Sequence, residues 1–186
     1  MTIFCYGDSN TFGYDPRSYF GGRYEEPWPE RLAAMTGWEV HNNGSCGREI
    51  PRRETVFPKS IDLLIVMLGT NDLLQGASAA EAAARMERFV STQERGRLLL
   101  IAPPPMSRGD WVPNDTLIEG SREMAKLYRA LSEKRSIRFL DAGEWSIPLA
   151  FDGVHFTGEG HRMFADTLAD LLLYNGSTLG DNDLRK

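Results

Sequence analysis

Short apolar runs alternate with amphipathic stretches along the chain. That alternation predicts an α/β fold with a mostly parallel sheet. Thr2–Tyr6 (TIFCY) is β-prone and stops at Gly7, which predicts the first strand. Trp28, Leu32 and Met35 recur at i, i+4 and i+7 between Pro27 and Gly37, which predicts a helix with its start and stop signals. Trp38–His41 reads as a short second strand, followed by the turn-rich run Asn42-Asn43-Gly44. Ile61–Leu68 (IDLLIVML) is the strongest strand signal, and its nearly continuous apolar run predicts burial on both faces. Ala82, Met86, Phe89 and Val90 predict a helix over 78–93, and Leu98–Ala102 a strand closed by three prolines. Met124, Leu127, Tyr128 and Leu131 mark another helix, Ile137–Leu140 a short strand, and Phe164, Leu168, Leu171 and Leu172 a last helix.

The 186 residues suffice for one domain, taken as residues 1–174, with 175–186 a polar tail expected to be poorly ordered. Apolar content of 41% and charged content of 25% are ordinary for a globular protein, which sets aside disorder, collagen and a disulfide scaffold. A net charge of −5 without a basic patch argues against a nucleic-acid partner. The longest apolar run, Ile61–Leu68, contains Asp62 and is too short to cross a bilayer, so no membrane partner is expected. The chain opens without a charged segment followed by an apolar one, so no secretory signal is read and a cytoplasmic location is expected. Cys5 and Cys46 then read as two reduced thiols.

In open parallel sheets chemistry sits at the carboxyl ends of the strands, and here those ends are dense in Gly, Asp, Ser and Asn. Gly7-Asp8-Ser9-Asn10 follows the first strand. A serine at such a turn suits a nucleophile, because helix N–H groups aim at the oxyanion that attack creates; Ser and Asp are also common turn and cap residues. Asp152-Gly153-Val154-His155 offers a base and, on the same turn, a carboxylate to orient it. His41 and His161 read as packing or solvent-facing residues instead. Asn71, in Gly69-Thr70-Asn71-Asp72, carries an amide donor; an Asx turn is the plainer reading. Gly44 could bring a backbone N–H close to a ligand, or simply make a turn. Together these residues form a parts list for acyl transfer through a covalent ester. Phe12, Trp111 and Phe151 are candidate walls that bind the substrate, and residues 103–116 form a loop long enough for a rim or lid. Little chain is left for elaboration, which predicts a shallow pocket and small acyl groups.

Four blocks occur in order over residues 7–155: GDSN with Ser9, NNGSCG with Gly44, GTND with Asn71 and DGVH with His155. In these blocks the sequence resembles the SGNH hydrolase superfamily, the GDSL-type esterases and lipases. Asn10 stands where the family signature has leucine. The resemblance implies a three-layer α/β/α sandwich of flavodoxin-like kind and no metal or organic cofactor. It implies Ser9 as nucleophile, His155 as general base and then acid, and Asp152 as its orienting carboxylate. The implied oxyanion hole consists of the Ser9 and Gly44 N–H groups and the Asn71 amide. LIVMLGTNDLL, IAPPPMS and DGVHFTGEGH resemble the arylesterase and acyltransferase branch. Its members act on small-molecule esters, pass acyl groups to alcohols or peroxide, and often form homo-oligomers. A carbohydrate acetylesterase or a thioesterase would use the same residues. A flavodoxin-like module that binds a small ligand without chemistry would not require the Asp152–His155 pair. A metal-dependent phosphoesterase would use Asp8, Asn71, Asp152 and His155 as ligands, a poor fit with three histidines in the chain.

Overall fold

A computed structural model describes residues 1–18 and 21–179. Its strands are β1 (Thr2–Gly7), β2 (Tyr14–Asp15), β3 (Gly22–Arg23), β4 (Glu39–Gly44), β5 (Leu63–Met67), β6 (Leu98–Ala102) and β7 (Arg138–Asp141). The helices are α1 (Ser9–Phe12), α2 (Trp28–Thr36), α3 (Thr70–Leu74), α4 (Ala79–Ser91), α5 (Asp115–Arg135) and α6 (Gly158–Leu179). Five strands form one parallel sheet in the order β4-β1-β5-β6-β7, while β2 and β3 make a small antiparallel ribbon.

Period-two alternation assigns the core residues to two faces. Ile3, Cys5, Leu63, Ile65, Met67, Leu99 and Ile101 face one side, where Trp28 and Leu32 of α2 and Phe164, Ala165 and Leu168 of α6 cover them. Leu64, Val66, Leu98 and Leu100 face the other, beneath Met86 and Phe89 of α4 and Met124 and Tyr128 of α5. All five residues of β5 and of β6 are buried, as expected for central strands covered on both sides. The result is the three-layer sandwich. From β1 the sheet grows outward to β4, and from β5 it grows the opposite way to β6 and β7. The strand order thus reverses beside β1, and a crevice opens there at the carboxyl ends of the strands.

Local chemistry sets the helix limits. Ser78 and Glu81 form a reciprocal capping box at the start of α4, and Gly37 ends α2 in the left-handed region at φ 69°. The structure differs from the sequence reading at several places. Asn42, Asn43 and Gly44 continue β4 rather than turn, because they pair in register with Cys5, Tyr6 and Gly7. The strand predicted over Ile137–Leu140 lies one residue later. Met35, on the predicted apolar face of α2, is 49% exposed. The last helix continues to Leu179, overlapping the start of the expected tail at residue 175; residues 180–186 lie outside the described residues. Among the described residues no helix is long and apolar enough to cross a membrane.

Ile65 is fully buried between both layers. Ile65→Ala should therefore lower unfolding free energy by about 2–5 kcal/mol. Met35→Ala should change it by less than about 0.5 kcal/mol, as at ordinary surface positions. Urea denaturation followed by circular dichroism measures both, and equal effects would contradict the layer assignment.

Candidate active site

The turn after β1 is held tight by its own residues. A Cβ at Gly7 would stand 2.0 Å from Thr11 Oγ1, so only glycine lets α1 fold back this closely. The Asp8 Oδ1 accepts the Asn10 N–H at 3.0 Å and caps α1. Gly13, in the left-handed region at φ 93°, ends the helix after one turn. Ser9 is therefore the first helical residue, at the carboxyl edge of the sheet.

The Asp152–Phe156 segment lies opposite. Gly153 has φ 79°, and a Cβ there would stand 2.1 Å from the Ser107 carbonyl. That close approach allows Ser107 N–H to donate to the Gly153 carbonyl (3.0 Å) and Trp111 N–H to the Asp152 carbonyl (3.0 Å). Asp152 Oδ1 accepts the Val154 and His155 N–H groups, each at 2.9 Å. Its Oδ2 lies 2.7 Å from His155 Nδ1, and His155 Nε2 lies 2.9 Å from Ser9 Oγ. Asp152 and His155 are almost fully buried, at 1% and 2% exposure.

Electrostatics follow from this packing. Burial pushes the Asp152 carboxyl up, but the His155 ring and the two N–H donors outweigh it and hold the group below its usual range. An ionised Asp152 places the proton on His155 Nδ1 and leaves Nε2 as acceptor for the Ser9 hydroxyl. Asp8 behaves differently. Burial raises it to about 6, against the pull of the Asn10 N–H, His155 and Arg48.

Asn71, in the first turn of α3, lies at the same edge, and its Nδ2 donates to the Arg48 carbonyl at 3.1 Å. An amide nitrogen carries two hydrogens, so one remains for a ligand. The neighbouring Asp72 is buried and accepts the Ile50 N–H (2.9 Å) and Arg85 (2.7 Å), which ties the 48–50 segment to α3 and α4. The structure differs from expectation at Gly44. Its N–H donates to Asn42 Oδ1 at 2.9 Å, and a Cβ there would stand 2.0 Å from the Phe12 nitrogen. The glycine thus admits α1 rather than a ligand, and Gly44 does not line the cleft.

A cleft of about 530 Å³ opens over Ser9, Asn71 and His155, with Tyr14 and Trp111 among its walls. Both rings pack on His155, with centroids at 4.6 and 4.9 Å. Of the three aromatic residues expected to line it, Trp111 does. Phe12 packs beneath Arg23 instead, and Phe151 is 59% exposed on the Ala150–Gly153 turn. The reversal at Gly13 explains the exchange, because it turns the chain so that Tyr14 reaches the imidazole. That glycine between two aromatics is the signal in the sequence that could have found Tyr14. Leu74 and Gln75 were also missed, since the length of α3 is not readable from the strand pattern. Cys46 lines the cleft with a free thiol raised by burial and by Asp8, and Cys5 is buried in the core.

His41 is exposed beside Glu39, and His161 is buried with Nδ1 accepting the Trp28 N–H (3.3 Å). Both nitrogens of His155 are engaged by Asp152 and Ser9. Among the described residues no three His, Cys, Asp or Glu side chains converge on a metal-sized site.

The model of the GDSL-like lipase/acylhydrolase family matches residues 5–163. The chain belongs to this family. No curated protein matches it in sequence at a significant level. Solved structures do resemble it. The native aryl esterase of M. smegmatis is 25% identical with a TM-score of 0.76, over 93% of this chain and 98% of that one. A provisionally named arylesterase of Agrobacterium tumefaciens str. C58 is 29% identical, with a TM-score of 0.76 over 93% and 98%. A carbohydrate acetylesterase family member from Sinorhizobium meliloti is 26% identical, with a TM-score of 0.74 over 93% and 97%. This GDSL-family chain thus shares its architecture with these proteins along nearly its whole length.

The raised pKa of Asp8 makes folding stability depend on pH. Because the folded value lies above the unfolded one, its contribution is fully present below about pH 4 and is lost as pH rises through about 6. Asp8→Asn keeps a capping oxygen and removes the titration. The stability of Asp8→Asn relative to wild type should increase by up to about 3 kcal/mol between pH 4 and 7, measured by urea unfolding across that range. A pH-independent difference would contradict the buried, raised carboxyl.

Proposed function

We propose that the protein is a serine esterase that cleaves small carboxylic esters through an acyl-enzyme on Ser9. One observation carries the reading: an unbroken line of short hydrogen bonds from Asp152 through His155 to Ser9 Oγ, at the mouth of a cleft. Family membership and the esterase names of the similar structures support the same chemistry.

This reading implies the following steps. Ser9 Oγ attacks the ester carbonyl carbon while its proton moves to His155 Nε2. Asp152 stabilises the imidazolium without taking the proton. Negative charge gathers on the carbonyl oxygen, where the Ser9 N–H and the free Asn71 amide hydrogen oppose it. Their fixed positions favour the transition state over the bound ester. Because Gly44 N–H is committed to Asn42, two donors carry this charge. His155 then protonates the leaving alkoxide. Water takes its place, gives its proton to Nε2 and attacks the acyl carbon, and Ser9 leaves protonated. A primary alcohol or peroxide in that position releases the acyl group by transfer.

The rim supplies a preference among substrates. Exposed Trp111 offers a flat ring and Gln75 an amide at the mouth. These favour an acetylated sugar as the second reading, beside an aryl ester.

Ser9→Ala should lower p-nitrophenyl acetate turnover by at least about 10³-fold with an unchanged circular dichroism spectrum. Wild-type turnover in that variant overturns the reading. Asn71→Ala should cost about 10²–10³ in kcat with little change in KM, read from steady-state kinetics. A panel of aryl and sugar acetates, with and without a primary alcohol, assigns substrate and acceptor from product ratios.

A further inference from the structure

Asn10 stands where the family signature carries leucine, and the buried carboxamide has two distant partners. Its Nδ2 donates to the Val154 carbonyl at 3.0 Å, and its Oδ1 accepts the Phe156 N–H at 2.8 Å. These partners lie 144 and 146 residues away and flank His155 on either side. The carbonyl before His155 and the N–H after it thus both face the Asn10 side chain. A facing strand satisfies such a pair with two bonds; here one planar side chain does so. Asp152 takes the neighbouring N–H groups, those of Val154 and His155 and the ring Nδ1, while the His155 carbonyl accepts the Ala150 N–H at 2.7 Å. The backbone on both sides of His155 is thereby fixed, and with it the direction of the imidazole.

We infer that Asn10 is a positioning residue for His155: its carboxamide locks the Val154–Phe156 backbone to the residue next to Ser9, aiming Nε2 at Oγ. The link runs from Ser9 through one peptide bond, the amide and the histidine backbone. It bypasses the Ser9–His155 hydrogen bond, which must break and reform during turnover. Leucine can neither donate nor accept, so a chain with leucine here must hold its histidine by other means. The inference rests on the reading of Ser9 and His155 as the reacting pair.

A merely structural role would also leave Asn10 buried and bonded, because main-chain groups in the interior need partners. Kinetics on folded protein separate the two roles. Asn10→Leu removes both bonds. Asn10→Asp is isosteric, keeps an acceptor for Phe156 N–H and loses the donor to Val154. The expected result is a 10–100-fold fall in kcat for p-nitrophenyl acetate in Asn10→Leu, with KM within about twofold, as for other groups that orient a reacting ligand. The far-downfield proton NMR signal of His155 Nδ1–H should broaden or shift in parallel. For Asn10→Asp the kcat ratio to wild type should rise as pH falls, because protonation of the introduced carboxyl restores a donor. An unchanged kcat and proton signal in folded variants, with only a lowered melting temperature, overturns the inference. Loss of folding in both variants also overturns it, since position 10 then serves the fold alone. A serine-directed phosphonate distinguishes the two proposals. Absence of a Ser9 adduct in wild type refutes the esterase reading. A wild-type adduct formed at an unchanged rate in Asn10→Leu refutes only the positioning role.

Discussion

The carboxylate of Asp152 is the constraint on which the site depends. One oxygen accepts two backbone N–H groups and shapes the turn; the other accepts the imidazole N–H. The same group therefore folds the loop and fixes the tautomer of the histidine it presents. Burial alone would favour the neutral acid, and three donors reverse that preference. The negative charge of Asp152 is thus maintained by neighbouring N–H donors, the imidazole first and two backbone groups after it.

The sheet supplies the remaining placement. Reversal of strand order beside β1 opens a crevice, and Ser9, Asn71 and the 45–50 segment each follow a strand that ends there. Asp72 and Arg85 hold that segment against α3, so the Asn71 amide rests on a carbonyl with a fixed position. Asp8, whose side chain caps α1 through the Asn10 N–H, is raised to about 6 by burial and stays near neutrality at mildly acidic pH. Two buried carboxyl groups thus differ in charge because one has more N–H partners than the other.

Much of this was legible in the sequence. Apolar runs in β5 and β6 announced central strands, and i, i+4 spacing located α4 and α5. The four blocks carrying Ser9, Gly44, Asn71 and His155 pointed to one edge of one sheet. What stayed hidden depends on long-range packing. Asn42–Gly44 looked like a turn because Asn and Gly favour turns, but pairing with β1 overrides that preference. Gly44 looked like a ligand contact, whereas its missing side chain makes room for α1. Phe12 and Tyr14 are separated by Gly13, and it is the left-handed backbone there that brings Tyr14 rather than Phe12 to the imidazole. The two partners of Asn10 lie so far along the chain that no local pattern reveals them.

The joint between the cleft rim and the histidine turn is made of main-chain atoms: Trp111 N–H meets the Asp152 carbonyl, and Ser107 N–H the Gly153 carbonyl. Bonds of this kind are indifferent to which side chain the rim residue carries. Side chains can therefore be exchanged in the walls that greet an incoming molecule while the hydrogen bonds from Asp152 through His155 to Ser9 stay undisturbed.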